Sequence, residues 1–118
     1  MFEIKVKADF SAAHNLRNYH GKCENLHGHN WIVEAVFRYK KLDKDGLAVD
    51  FKIAKETLKA AIESLDHSYL NELRFFKDTN PTSENIAKFI YDSVKKDMGS
   101  IYSIAVWEND KSCALYME

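Results

Sequence analysis

The sequence is poor in residues that mark several classes of protein. It has one proline and only two cysteines, Cys23 and Cys113, in 118 residues. So few cysteines exclude a disulfide-stapled secreted scaffold, and we expect both thiols to be reduced. No apolar run approaches the ~20 residues that span a bilayer, and the N-terminus alternates apolar and charged residues, unlike a signal peptide. We therefore expect a cytoplasmic protein with no membrane partner.

The charge of the chain also lacks a dominant sign. Its 17 basic residues oppose 18 acidic residues, for a formal net charge of -1. This balance gives no reason to expect a nucleic-acid partner. The chain is 46% hydrophobic and 30% charged, which is typical of a globular protein that buries its own core. Since we find no repeat, low-complexity segment or linker, we expect a single domain over residues 1–118.

Hydrophobic periodicity predicts six elements. Period-2 alternation indicates strands, spacing of three and four indicates helices, and Asp50 is a plausible N-cap. The predicted order is ββααββ, with strands 2–14 and 27–40, helices from Asp50 to about Leu65 and from Thr82 or Ser83 to about Lys96, and strands 101–108 and 112–117.

This order predicts an α+β fold, a four-stranded antiparallel sheet with both helices on one face. Residues 66–81 are expected to form a long connection, and Cys113 is expected to pack within the last strand. Exposed edges of such a sheet must be covered, charged or paired, so we expect the strands of neighbouring subunits to pair.

The segment His27-Gly28-His29 carries the strongest functional signal in the sequence. On a strand, side chains two residues apart point the same way, about 6.5–7 Å apart, and both can reach one metal ion. Antiparallel pairing of the first two strands brings His14 near them. Three neutral nitrogen ligands suit zinc, and a vacant fourth position is typical of a catalytic site.

Cys23 leaves two interpretations open. As a fourth ligand it would close the site and make it structural. Alternatively, the neighbouring Lys22 and a nearby metal would favour its thiolate, which could act as a general base or nucleophile. We favour the second interpretation because Cys23 lies in a polar loop.

Together, these segments resemble the 6-pyruvoyl-tetrahydropterin synthase family. The resemblance runs in order along nearly the whole chain, through FSAAH at 10–14, CENLHGHN at 23–30, LDHSYLN at 65–71, NPTSEN at 80–85 and Glu108. The three residues between Cys23 and His27 are similar to the spacing in the bacterial and archaeal branch, whose members make 6-carboxy-5,6,7,8-tetrahydropterin for queuosine biosynthesis.

The resemblance implies a T-fold (tunnelling fold). In such proteins three subunits close their sheets into a barrel and two trimers stack into a hexamer with active sites between subunits. A homo-hexamer is thus expected here. The resemblance also implies that the zinc ligands are His14, His27 and His29.

Roles for further residues follow from the resemblance alone. Cys23 matches the catalytic thiol, and Asp66 and His67 match a pair that works with it. Glu108 matches the carboxylate that anchors the pterin ring. A helix-opening motif near the pterin pocket is matched by Thr82, Ser83 and Glu84.

The implied reaction converts 7,8-dihydroneopterin triphosphate to 6-carboxy-5,6,7,8-tetrahydropterin, releasing acetaldehyde and triphosphate. Arg17 and Lys22 are candidates for holding the triphosphate. The nearest alternative is 6-pyruvoyltetrahydropterin synthesis, which eliminates triphosphate without carbon–carbon cleavage. Two more distant functions also stay open, a non-catalytic zinc-binding module and a zinc-dependent hydrolase.

Overall fold

The two long strands begin and end within one residue of their predicted bounds. The computed structural model describes all 118 residues. Its elements are β1 Phe2–His14, β2 His27–Tyr39, α1 Phe51–Ile62, β3 Ser68–Tyr69, α2 Ser83–Asp97, β4 Ile101–Trp107 and β5 Cys113–Met117. The predicted α+β architecture with two helices is confirmed, although α1 ends three residues earlier than expected.

The sheet has five strands rather than the predicted four. Their order is β3-β1-β2-β4-β5, and β3 runs parallel to β1 while the other pairs are antiparallel. The extra strand forms because Ser11 exchanges hydrogen bonds with the connection before β3. Its N–H donates to Asp66 Oδ1 at 2.9 Å, and its carbonyl accepts from His67 N–H at 2.6 Å. A two-residue strand has no periodicity of its own, so the sequence pattern missed it.

The helices cover one face of the sheet. The core between them includes Phe10 and Trp31 from the sheet and Leu58 and Ile90 from the helices. Capping side chains begin both helices as predicted: Asp50 accepts from Lys52 N–H, and Thr82 accepts from Asn85 N–H. The other face of the sheet is open, and neither helix is long and apolar enough to cross a membrane.

Candidate metal centre and adjoining cavity

Strand register brings the three predicted histidine ligands together. His14, the last residue of β1, pairs directly with His27, the first residue of β2, and His29 pairs with Ala12. All three side chains therefore share one end of the sheet. One ligand atom from each histidine lies within 4.8 Å of the other two. His14 is only 1% exposed, so the cluster is anchored in the core rather than on the surface.

Two backbone carbonyls select the tautomers of this cluster. His14 Nδ1–H donates to the carbonyl of Pro81 at 2.8 Å, and His27 Nδ1–H donates to the carbonyl of Asn25 at 2.7 Å. In the neutral rings, each Nε2 then carries a lone pair. These two Nε2 atoms lie 3.0 Å apart. Two lone pairs at this distance repel unless a cation lies between them, so the arrangement fits a metal ion.

The third histidine gives independent support for this fit. His29 Nε2 is buried and has no hydrogen-bond partner in the protein. Leaving a buried polar atom unpaired costs ~1–3 kcal/mol, so such an atom usually has a function. A metal ion would satisfy it together with the two facing Nε2 atoms. Three neutral imidazoles fit zinc with one coordination position open.

Burial favours the neutral form of His14 and His29. It lowers the pKa of His14, with His27 adding to the effect, and it also lowers the pKa of His29. Glu108 acts in the opposite direction on the pKa of both rings. Because a metal binds only the neutral imidazole, the lowered pKa values favour metal binding at neutral pH.

Glu108 also lines a cavity, which is separate from the one that His29 and His67 line. It follows the last residue of β4, and its Oε1 accepts a hydrogen bond from Ser83 Oγ at 3.1 Å. The cavity has a volume of about 220 Å³ and is lined by Ser83, Glu84, Glu108, Ser112, Cys113 and Ala114. Three of the four predicted substrate-binding residues thus meet here. The fourth, Thr82, uses its hydroxyl to cap α2.

Cys23 lies apart from the histidine cluster. It is half-buried in a short 3-10 turn, Lys22–Glu24, with a free thiol. The cluster of possible metal ligands consists of the three histidines alone, without this sulfur. The geometry of one chain therefore leaves the fourth coordination position to another ligand.

Asp66 and His67 form a pair at the β3 edge of the sheet. His67 Nδ1 lies 3.1 Å from Asp66 Oδ1, and the His67 side chain is 83% exposed. The backbone of His67 has a φ of 57°, in the left-handed region, where a histidine is tolerated better than most residues. The Ser11 N–H bond lowers the pKa of Asp66, which keeps its carboxylate ionised. His67 lines a cavity of about 400 Å³ that includes neither Cys23 nor Glu108.

The Arg17 guanidinium, a candidate for holding the triphosphate, contacts backbone carbonyls in the structure. Its guanidinium donates to the backbone carbonyls of Phe76, Asn71 and Thr79 at 2.7, 3.3 and 3.4 Å. This side chain therefore organises the connection between β3 and α2.

Sequence patterns missed several groups at this end of the sheet. The carbonyls of Asn25 and Pro81 orient the histidines, but every residue has a carbonyl and no pattern distinguishes these two. Ser112 and Cys113 line the Glu108 cavity. The expectation that Cys113 packs inside is wrong, because it is exposed at the start of β5.

Comparisons with known proteins agree with the resemblance noted in the sequence. The family model described as 6-pyruvoyl tetrahydropterin synthase matches residues 3–118. A 6-carboxy-5,6,7,8-tetrahydropterin synthase from Haemophilus influenzae is 32% identical over the full length of both chains. Another from Synechocystis is 34% identical and covers 98% of this chain and 93% of its own. The structure of Caenorhabditis elegans 6-pyruvoyl tetrahydropterin synthase is 27% identical, covers 99% of this chain and 95% of its own, and superposes with a TM-score of 0.91.

Proposed function

The chain belongs to the 6-pyruvoyl tetrahydropterin synthase family, and from this premise we propose that it is a zinc-dependent lyase of queuosine biosynthesis. The proposed reaction consumes 7,8-dihydroneopterin triphosphate and one water molecule, and it yields 6-carboxy-5,6,7,8-tetrahydropterin, acetaldehyde and triphosphate. The proposal takes residues 1–118 as one domain that acts in the cytoplasm. The relatives named as 6-carboxytetrahydropterin synthases, matched along nearly all of this chain, support this product.

The observation that carries the proposal is the arrangement of the histidine nitrogens. His14 and His27 would bind zinc through the Nε2 atoms that their Nδ1–H bonds leave free, and His29 would bind through its unpartnered Nε2. When bound, zinc would supply Lewis-acid polarisation of the substrate's side-chain oxygens.

Proton transfer would fall to residues outside the histidine cluster. The Cys23 thiolate would take a proton from the substrate side chain, and the resulting thiol would return one. Asp66 would orient the imidazole of His67 through its Nδ1–H and stabilise the protonated ring, so that Nε2 could serve as the opposite acid or base. Both roles rest on the family resemblance. The contact between Asp66 and His67 supports the second.

Pterin recognition would occur in the cavity that Glu108 lines. Glu108 is half-buried there, and its carboxylate would accept hydrogen bonds from the pterin amino group and ring N–H. Ser83 would hold one carboxylate oxygen in position. Glu84 lines the same cavity, and Thr82 would act indirectly by starting the helix beside it. An analogue without these donors would leave the carboxylate unpaired and would bind poorly.

We further propose a homo-hexamer with active sites between subunits. In one chain, the exposed His67 lines a cavity to which the Cys23 turn does not contribute. Residues of a neighbouring subunit would complete each set. Exposed apolar side chains on the open face of the sheet, Ile32, Leu115 and Met117, support burial of that face between copies.

A second candidate function is synthesis of 6-pyruvoyltetrahydropterin. It is favoured by the close superposition on the Caenorhabditis elegans enzyme of that name. This reaction would use the same metal and the same pterin cavity. It differs because triphosphate is eliminated and no carbon–carbon bond is cleaved.

A product assay tests these proposals. Zinc-loaded protein is incubated with 7,8-dihydroneopterin triphosphate, and products are identified by mass spectrometry with an acetaldehyde trap. Carboxytetrahydropterin with acetaldehyde supports the main proposal, whereas pyruvoyltetrahydropterin without acetaldehyde supports the second. Protein that binds zinc and yields no pterin product would indicate a non-catalytic module.

A Glu108→Ala variant provides the matched control for pterin chemistry. We expect it to bind zinc and lose turnover of the pterin substrate. If instead it retained activity, and the protein also cleaved simple esters or amides, the hydrolase alternative would replace the proposal.

A further inference from the structure

Two asparagine side chains hold the backbone just beyond the end of β1. Asn71 accepts from Asn15 N–H at 3.0 Å and donates to the Asn15 carbonyl at 2.9 Å. Asn80 makes the equivalent pair with Arg17, accepting from its N–H at 2.9 Å and donating to its carbonyl at 3.2 Å. Each amide thus imitates a paired strand and continues the hydrogen bonding of β1 after His14.

The two asparagines differ in their neighbours along the chain. Asn80 directly precedes Pro81, whose carbonyl accepts from His14 Nδ1–H at 2.8 Å. The Asn80 carbonyl is itself held by Thr82 N–H at 2.8 Å and Asn85 Nδ2 at 2.9 Å. Because proline has a restricted φ, a fixed Asn80 leaves little freedom to the next carbonyl. Asn71 differs in that its own neighbours belong to the 3-10 turn Leu70–Glu72 and none of them bonds a histidine ring, although its partner Asn15 follows His14 in the chain.

The Pro81 carbonyl decides which nitrogen of His14 is available. Where it accepts from Nδ1–H, the lone pair is on Nε2, facing His27. If the carbonyl moved away, His14 could adopt the other tautomer or rotate. The cluster would then lose one of the three nitrogen lone pairs that are available to a metal ion.

We propose that Asn80 is a positioning residue for the metal centre: by pairing with the Arg17 backbone, it holds the Pro81 carbonyl against His14 and thereby fixes the tautomer and orientation of that ligand. This inference rests on the proposed function insofar as the histidines hold a metal. Its effect on the His14 ring itself needs no metal.

The test compares Asn80→Ala with the matched control Asn71→Ala. Each variant removes one partly buried amide that bonds the N–H and the carbonyl of a single residue, Arg17 for Asn80 and Asn15 for Asn71. We expect both variants to lower the unfolding temperature of the metal-free protein. We expect only Asn80→Ala to weaken the binding of Co²⁺, the probe metal, by about 10- to 100-fold. This is the usual effect of losing an outer partner of a metal ligand, and chelator competition measures it. The Co²⁺ absorption bands of this variant should also shift, because the ligand geometry changes.

A second measurement determines the tautomer of the His14 ring by NMR. In metal-free protein labelled with ¹⁵N-histidine, we expect the His14 nitrogen shifts to report an Nδ1–H tautomer in the parent and in Asn71→Ala. In Asn80→Ala they should report a mixture. If Asn80→Ala does not fold, Asn80→Asp serves in its place. It keeps the acceptor for Arg17 N–H and replaces the donor to the Arg17 carbonyl with a carboxylate oxygen, which that carbonyl repels.

The outcomes distinguish this inference from the proposed function. Unchanged His14 shifts and unchanged Co²⁺ affinity in Asn80→Ala would overturn the inference, as would an equal loss of Co²⁺ affinity in Asn71→Ala. A parent protein that fails to bind Co²⁺ at the histidines would overturn the proposed function, while the nitrogen shifts would still decide the role of Asn80.

Discussion

The histidine cluster and the Asp66–His67 pair are built in different ways. The histidines project from two thirteen-residue strands into the covered face of the sheet, and their positions follow from one register. His67 lies at the edge of a two-residue strand, 83% exposed, with a left-handed backbone. One chain thus holds all three residues of the candidate metal centre, whereas its Cys23 does not line the cavity of its His67. In the proposed hexamer, a neighbouring subunit would bring these two groups together.

The largest expected effect comes from removing one of the three histidines of the proposed metal centre. We expect His27→Ala to lose its metal, with a fall in affinity greater than the ~10–100-fold typical of an outer partner, and to lose turnover with it. Metal content by mass spectrometry and the product assay measure both. The control is His20→Ala, since this loop histidine is exposed and lies outside the cluster. Retention of a full metal complement by His27→Ala would contradict the proposed ligand set.

Cys23→Ala tests whether metal binding and proton transfer are separable. We expect zinc content to be unchanged and turnover to fall by ~10²–10⁴, the range for a lost general acid or base. Cys23→Ser, which keeps a weaker acid at this position, should retain more activity than Cys23→Ala. Loss of zinc from Cys23→Ala would instead favour the closed structural site with sulfur as a fourth ligand.

Mixed oligomers test whether Cys23 of one subunit acts together with His67 of a neighbouring subunit. Cys23→Ala and His67→Ala should each be inactive alone. When the two variants are co-expressed, random assembly should restore roughly a quarter of the parent activity, because that share of interfaces joins an intact Cys23 to an intact His67. Absence of any recovery, in oligomers shown to contain both chains, would mean that the two groups act within one subunit.

The pH dependence of stability should differ between the two regions. Burial lowers the pKa of His14 and His29, so below their ordinary value of 6.5 the unfolded chain binds protons that the native protein does not. Metal-free protein should therefore lose stability as pH falls below 6.5. The hydrogen bond that lowers the pKa of Asp66 stabilises the native state above its ordinary value of 3.8 and is lost only at more acidic pH.

Urea unfolding of metal-free protein between pH 8 and pH 5 measures this difference. His29→Gln should show a shallower dependence over that range, and Asp66→Asn should leave it unchanged. The opposite ranking would contradict the assignment of the pH dependence to the buried rings.

The smallest expected effects come from removing the hydroxyl of Thr82 or of its neighbour Ser83. Thr82 caps α2, whereas Ser83 bonds Glu108. We expect Thr82→Ala to cost about 1 kcal/mol of stability and to leave KM unchanged. Ser83→Ala should raise KM and leave the unfolding temperature nearly unchanged. A larger rise of KM in Thr82→Ala would show that Thr82 contacts the substrate directly.

The sequence by itself determined the long elements and the members of the histidine cluster. Alternation along residues 2–14 and 27–39, helical spacing after Asp50 and Thr82, and the HGH segment all carry local signals, because strand and helix periods are properties of neighbouring residues. The register of one hairpin then follows from the same alternation, since a slip of one residue would turn the apolar side chains to solvent.

Only the tertiary structure decided what surrounds those elements. Three features depend on hydrogen bonds between segments more than fifty residues apart. They are the β3 strand, the pairing of Asn80 with the Arg17 backbone and the bond from His14 to the Pro81 carbonyl. The same holds for Arg17, whose charge suggested a phosphate ligand and whose contacts are backbone carbonyls. Such contacts leave no periodic signal because they join backbone groups that every residue carries, and only the folded chain selects which of them meet.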